Sequence, residues 1–292
     1  MTILITGGTA LVGRNIHELL RKKYDIFAPT HQELDLCDFM AVDRYIRQHT
    51  ITAVIHGAMQ GGDAVVQHAV QMFLNLTQQI DRFDTFIYFG SGAEFGKHRD
   101  LHKVTEAEFG RILPRDRYGL AKFTLQRLAE GMNTVVNLRL FGVYGKYEPY
   151  WCKFISQTIL YYLLDIPIYI KQNVVFDYVY IDDVVSVVDY FLQHPPKHNS
   201  YNVTTNHSIS LLEIIDIIFE IGRKRVPIHV EREGLNYEYT GNNSRLISEV
   251  PIQFHSYREG ISKLYGYYKD HLKDIDRSKL TDATYMQSLT AK

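Results

Sequence analysis

The sequence predicts an α/β protein: a doubly wound parallel sheet with a smaller C-terminal part. Three observations carry this. Short β-branched runs alternate with helix-period segments through the first half, the first run ends in the glycine turn of TGGTALVG, and the alternation gives way after Tyr144-Gly145 to aromatic and longer apolar segments. Strands separated by helices lie parallel, because each helical crossover returns the chain to the same end of the sheet.

Taken in order, Ile3–Thr6 is the first strand, its branched residues suited to a sheet buried on both faces. Gly7-Gly8 turns the chain into a helix from about Leu11 to Lys22. Ile26–Ala28 is a second strand, Val42–Gln48 a helix and Ala53–Ile55 a third strand. Ala64–Ile80 has helical periodicity, Thr85–Phe89 is strand-like, Tyr118–Gly131 is helical and Val135–Leu140 is the next strand. Further on, the pattern predicts a helix over Trp151–Leu164, a strand over Val174–Tyr180, and helices over Asp182–Gln193 and Ser210–Ile221. The predicted division gives residues 1–145 to the core, with 174–205 returning to it, and residues 146–173 and 206–292 to the second part. The polar stretch from Lys269 is expected to be partly mobile.

Bulk properties narrow the function classes. A chain of 292 residues, 46% hydrophobic and 22% charged, has the composition of an ordinary globular protein. Its 32 basic and 33 acidic residues leave a net charge of −1, with no electrostatic footprint for nucleic acid. Two cysteines, Cys37 and Cys152, make no disulfide framework. No apolar run approaches the ~18 residues of a membrane span, and the opening strand lacks a basic flank and long apolar stretch, so a cytoplasmic protein is expected. The thirteen histidines do not cluster at ligand spacing, so no metal site is expected.

The first turn suits a dinucleotide. Gly7 and Gly8 let phosphate oxygens approach the backbone, and Gly13 lets a helix begin close against the strand. The helix start at Ala10, Leu11, Val12 and Gly13 then offers amides and a favourable dipole to a pyrophosphate. The spacing Gly7-x-x-Ala10-x-x-Gly13 puts alanine where a middle glycine is usual, and a tight strand–helix turn without ligand fits the same residues. In PTHQELDLCD, Asp35-Leu36 either faces an adenine or caps a turn. No acidic ribose clamp ends the second strand; Arg14 and His31 therefore favour NADP over NAD, although Arg14 also reads as a solvated helix residue.

Tyr118 and Lys122, four residues apart in RDRYGLAK, share one helix face. A tyrosine normally has a pKa of about 10. A neighbouring ammonium favours the phenolate and is expected to draw that value toward neutrality. Tyr118 would then donate a proton to a carbonyl or take one from a hydroxyl. Alone, the pair also reads as an exposed surface contact. Ser91, just past the strand TFIYFG, lies where an open α/β sheet presents its ligand groups and would align the reacting oxygen.

These landmarks resemble the extended short-chain dehydrogenase/reductase family, particularly its nucleotide-sugar-modifying members. TGGTALVG, VIHGA at Val54–Ala58, SGAEFG at Ser91–Gly96, YGLAK, LRLFGVYG at Leu138–Gly145, FDYVYIDDVV at Phe176–Val185 and YNVTT at Tyr201–Thr205 follow the family's order over roughly Met1–Glu213. The resemblance implies a Rossmann core, a bound NADP or NAD and a small C-terminal substrate-binding domain. Ser91, Tyr118 and Lys122 resemble its catalytic triad. Gly7, Ala10 and Gly13 match the cofactor loop, His56, Gly57 and Ala58 the strand end beside the cofactor, and Asn75 a supporting helix position.

The resemblance also bears on the reaction. Dehydratase members often carry Thr-Asp-Glu where this chain has Ser91-Gly92-Ala93, and Glu94 is displaced by one position, so sugar 4,6-dehydration is not expected. Reduction of a nucleotide-linked 4-keto sugar is the expected outcome; a 4-epimerase, a dual epimerase/reductase and a non-catalytic dinucleotide sensor are the alternatives. Cys152, Lys153 and His102 are candidate acid/base groups for a dual enzyme, with Cys152 also reading as a packed helix residue. Tyr147 and Trp151 of the aromatic loop are candidates for stacking on the nucleotide sugar, and Lys171 and Arg245 for its diphosphate. Phe176-Asp177 stands where many relatives have Arg-Asp. A homodimer is the expected assembly if helix faces remain uncovered.

Overall fold

The computed structural model describes residues 1–280. The chain runs β1 (Thr2–Thr6), α1 (Leu11–Leu20), β2 (Asp25–Phe27), α2 (Phe39–Gln48), β3 (Ala53–His56), α3 (Val65–Thr77) and β4 (Thr85–Ser91). It continues through β5 (Leu101–Val104), α4 (Arg117–Ala129), β6 (Val135–Leu140), β7 (Gly142–Tyr144) and α5 (Phe154–Leu163). Then come β8 (Ile168–Asn173), β9 (Val175–Phe176), β10 (Tyr178–Tyr180), α6 (Ile181–Gln193), β11 (Ser200–Val203) and β12 (Ile209–Ser210). Last are α7 (Leu211–Gly222), β13 (Ile228–Leu235), β14 (Tyr239–Gly241), α8 (Ser244–Ile247) and α9 (Tyr257–Asp270).

Alternate residues along each core strand face opposite ways, and each face has its own core. Ile3 and Ile5 point to one side and Leu4 to the other; Ile55 opposes Val54, and Ile87 and Phe89 oppose Phe86 and Tyr88. Full burial of each such side chain contributes about 1.5–3 kcal/mol. Helices α1 and α6 cover the first face, α2, α3 and α4 the second. The central sheet has the order β2-β1-β3-β4-β6-β11 with every neighbouring pair parallel. This is the expected doubly wound, Rossmann-like arrangement. The chain leaves β1 for β2 on one side and returns to β3 on the other, so a crevice opens at the carboxyl ends of β1 and β3.

Local departures from the sequence reading have local causes. The helix expected from Trp151 begins at Phe154, because the Cys152 amide donates to the Pro149 carbonyl (3.0 Å) in a turn that leaves Lys153 extended. The strand expected over Val174–Tyr180 breaks at Asp177, whose buried carboxylate accepts from the Gly241 amide at 2.9 Å. Its halves join different sheets: β10 pairs with β7, while β9 lies in a four-stranded sheet of order β12-β9-β14-β5. The polar tail predicted from Lys269 lies outside the described residues from residue 281 onward. Among the described residues, no helix is long and apolar enough to cross a membrane.

Candidate active site

A cavity of about 450 Å³ fills the crevice, lined by Thr6–Ala10 after β1, Pro29–His31 after β2, Leu34–Cys37, and Gly57–Gln60 after β3. The turn leaves no room for side chains at two points. Gly7 has φ +73°, and a Cβ there would sit 2.8 Å from the Ala58 nitrogen; a Cβ on Gly13 would sit 2.5 Å from the Gly7 carbonyl oxygen. Ala10 is the extended residue before α1, and no side chain caps this helix. Its first turn therefore presents backbone N–H groups and dipole to the cavity, the arrangement that holds a pyrophosphate. Ala10 is exposed, so its methyl group displaces nothing in the turn.

The remaining cofactor candidates divide. His31, Asp35, Leu36, Gly57 and Ala58 line the cavity. Asp35 is partly committed, its Oδ1 accepting from the Cys37 amide at 2.9 Å with His31 Nδ1 at 3.9 Å. Leu11, Val12 and Gly13 form the first turn of α1 behind it. The structure takes Arg14 away from the groove: its guanidinium lies 3.7 Å over the Tyr147 ring, whose hydroxyl donates to Glu18. His56 lies beneath the groove, 2.8 Å from the Thr6 hydroxyl, and Thr6 in turn accepts from the Ala58 amide. Burial, helped by the Lys122 charge, pushes its pKa down to about 3, so it is a neutral floor residue. Asn75 donates to the Leu36 carbonyl at 2.9 Å and ties the groove's outer loop to α3.

Ser91 ends β4, and α4 brings Tyr118 and Lys122 beside it. Asp116 caps that helix by accepting from the Gly119 amide at 2.9 Å. Tyr118 is 42% exposed and lines the same cleft as Ser91, close enough for the serine hydroxyl to act on its phenol. Lys122 is buried, with Nζ 2.6 Å from the Phe89 carbonyl and 5.8 Å from the Tyr118 ring centre. The expected drift of the phenol toward neutrality is corrected here. Burial raises the Tyr118 pKa, the Ser91 hydrogen bond opposes this only in part, and Glu94 and Asp116 add to the rise. Lys122 donates one of its ammonium hydrogens to the Phe89 carbonyl, and burial brings its own pKa down to about 8.

Glu94 explains why Ser91 is so well placed. Its Oε1 accepts from the Ser91 amide (3.0 Å) and from Asn137 (3.2 Å), while Oε2 accepts from Arg139 Nε at 2.5 Å. Both charged side chains are sealed from solvent, and the guanidinium lies over the Phe95 and Phe109 rings. Glu94 is thus committed to the scaffold, not turned toward the cleft.

A second cavity, about 510 Å³, adjoins Ser91 and Tyr118 and is also lined by Lys97, Phe141, Lys153, Phe176 and residues 236–239. Of the acid/base candidates, Lys153 reaches this cleft. Cys152 turns its thiol to the Pro149 carbonyl, and burial raises its pKa; His102 contacts Glu238 from an exposed position. The substrate candidates Tyr147, Trp151, Lys171 and Arg245 are not among the lining residues. Tyr147 sits on the seam with α1, Trp151 stacks edge-on with Tyr150 beside Lys279, Lys171 lies on β8, and Arg245 donates to the Ser200 carbonyl. Sequence reasoning missed Tyr239 and Phe141. The alternation in LNYEYTG was the available sign of a strand, but nothing in it points 148 residues back to Ser91. Among the described residues, no group of three or more His, Cys, Asp or Glu is placed to hold a metal ion.

Comparisons with known proteins bear on the family and the fold. Residues 3–204 match the family model described as the NAD dependent epimerase/dehydratase family. An ADP-L-glycero-D-manno-heptose-6-epimerase from Cupriavidus pinatubonensis is 24% identical over 259 residues, covering 75% of this chain and 77% of that protein. The dTDP-glucose 4,6-dehydratase of Bacillus anthracis, solved with NAD, superposes with a TM-score of 0.81 at 16% identity, covering 94% of this chain and 98% of that one. A GDP-mannoheptose C4 reductase from Campylobacter jejuni, solved with NADP bound, gives 0.77 at 19% identity, covering 92% and 98%. The three names span epimerisation, dehydration and reduction.

Proposed function

Because the chain belongs to the NAD dependent epimerase/dehydratase family, we propose that it is an NADP(H)-dependent reductase, with NAD(H) the alternative cofactor, acting on a nucleotide-linked 4-keto sugar. The observation that carries this reading is the placement of Ser91 and Tyr118 together at one cleft whose lining carboxylate, Glu238, is engaged by His102 and Thr240, while Glu94 behind Ser91 is locked to Arg139. Expelling water from a sugar needs a free acidic group at this position, and none is offered by Gly92 or Ala93. Carbonyl reduction needs one proton donor and one orienting hydroxyl. Tyr118 and Ser91 supply those.

The first turn of α1 and the walls at Gly7, Gly57 and Ala58 would hold the dinucleotide, with Lys122 beneath the nicotinamide side. When bound, the reduced cofactor supplies hydride to the carbonyl carbon. Ser91 orients the Tyr118 hydroxyl, and Tyr118 delivers a proton to the carbonyl oxygen as charge develops there. Burial favours the phenol over the phenolate, so Tyr118 begins in the protonated form that reduction requires. Lys97 and Lys153 give the cleft positive charge for the substrate's diphosphate.

The test is an assay of dTDP-, GDP-, UDP- and ADP-linked 4-keto sugars with NADPH and NADH. One cofactor oxidised per sugar reduced is the expected result. Interconversion of sugars without net oxidation would replace this reading with epimerisation. Cofactor binding with neither reaction would reduce the protein to a dinucleotide-binding module.

A further inference from the structure

Tyr239 arrives at Ser91 from the far end of the chain, and the structure gives it an unusually fixed position. Its strand, β14, runs between β9 and β5, and its carbonyl accepts from the Asp177 amide at 3.2 Å. The ring lies 5.2 Å from that of Phe141 and 5.8 Å from that of Phe176, centre to centre. The hydroxyl stands 3.4 Å from Ser91 Oγ. This approach depends on Gly92, where a Cβ would sit 2.7 Å from the Tyr239 hydroxyl and 2.5 Å from the Phe141 ring. Ser91 thus lies between two phenols, Tyr118 and Tyr239.

A count of donors and acceptors orders the three hydroxyls. A serine hydroxyl offers one donor and two acceptor sites. The Ala93 amide occupies one acceptor at 3.2 Å. That leaves Ser91 one hydrogen bond to give and one to receive, so when Tyr118 closes on it beside Tyr239, one phenol donates to the serine and the other accepts from it. If Tyr118 were the donor, its proton would point into the serine and away from the cleft. If Tyr239 is the donor, Tyr118 receives from Ser91 and keeps its proton for the substrate.

Resting on the reductase reading above, we propose that Tyr239 is a positioning residue: it donates to Ser91, Ser91 donates to Tyr118, and this chain aims the Tyr118 proton at the substrate carbonyl while supporting the phenolate left behind. Hydrogen bonds in such a chain polarise one another, so the terminal donor strengthens the bond that Tyr118 receives. Tyr239 transfers no proton; the one that moves goes from Tyr118 to the substrate oxygen. The order of ionisation agrees with this. Burial raises both phenols, but it lifts Tyr239 far beyond the usual tyrosine range, so Tyr118 ionises first and Tyr239 stays a donor. The charged groups facing this chain are Lys122 on α4, Asp116 before it, Glu94 below Ser91, and Lys97, Lys153 and Glu238 on the cleft wall.

Tyr239→Phe removes one oxygen and keeps the ring between Phe141 and Phe176. With a reducible 4-keto nucleotide sugar, kcat should fall about tenfold, as for loss of one supporting hydrogen bond, with KM nearly unchanged. The alkaline limb of the kcat profile should move to higher pH, because Tyr118 loses phenolate support. A second readout does not need turnover: in the NADP-loaded protein with ¹³Cζ-labelled tyrosine, the onset of Tyr118 ionisation should likewise move to higher pH in Tyr239→Phe. Gly92→Ala, which pushes the phenol off Ser91, should reproduce both shifts. An unmoved Tyr118 titration in Tyr239→Phe would overturn the proposal. A shifted titration in a protein that reduces no 4-keto sugar would uphold the hydroxyl chain and reject the reductase reading.

Discussion

Arg139 and Glu94 meet inside the protein with their side chains 1% and 0% exposed, and the same carboxylate holds the Ser91 amide. Truncating one partner leaves the other as a buried, uncompensated charge. Glu94→Ala should therefore cost about 3–5 kcal/mol of stability, read from urea unfolding. Turnover should fall as well, since the turn carrying Ser91 loses its anchor. A loss below about 1 kcal/mol would mean that water reaches Arg139.

Gly7 combines a left-handed backbone with a wall of main chain 2.8 Å from where a Cβ would stand. Gly7→Ala should weaken NADPH binding by about tenfold or more and cost about 1–3 kcal/mol of stability. Ala10→Gly, at an exposed position, should bind NADPH close to wild type. Calorimetric titration of the two variants tests the pair, and equal affinities would remove the turn from the binding surface.

Tyr118→Phe keeps the ring and removes the transferable proton. We expect turnover to drop by about a hundredfold or more with NADPH affinity retained. Near-normal kcat in this variant would dismiss Tyr118 as the acid.

Glu148 is buried among tyrosines, with Ser156 and Tyr268 linked to it in a hydrogen-bond chain. Burial raises its pKa from 4.5 to about 7. Between those values the folded chain keeps a proton that the unfolded chain has lost, so stability falls as pH rises across the window. Glu148→Gln should match wild type near the lower value and exceed it above the upper one by on the order of 3 kcal/mol. Denaturation midpoints measured through the window check this; a gap that does not change with pH would refute it.

Lys122 obeys the opposite sign. Burial lowers its pKa from 10.5 to about 8, so across that interval the unfolded chain binds the extra proton and stability rises with pH. Relative to Lys122→Met, the wild-type protein should gain on the order of 3 kcal/mol as pH climbs through the interval. Parallel stability curves for the two proteins would show that Lys122 titrates normally.

The parts legible in the sequence were those written in short-range pattern. Branched runs gave the core strands, and the glycines after β1 gave the groove, because a strand, a turn and a helix start are local events. Ser91, Tyr118 and Lys122 were singled out through spacing and order, and the fold brings them near one another. What escaped was set by distant partners. Strand β13 is mostly exposed and polar, so no apolar alternation marks it; it exists because β8 offers a parallel edge. Tyr147 and Arg14 each had a plausible ligand on paper, yet they satisfy one another across the seam. Lys122 was expected to act on the phenol by charge alone, and the buried Phe89 carbonyl competes for it.

Strand β14 is inserted between two strands made much earlier in the chain, one from residues 101–104 and one from residues 175–176. The crevice of the first three strands, by contrast, has all its lining residues after about a quarter of the polypeptide has emerged. In chain order the first cavity therefore precedes the second: a nascent or truncated chain lacking residue 239 has the residues of the crevice but an open wall in the cleft beside Ser91 and Tyr118. The cleft wall closes only with the returning segment that carries Tyr239.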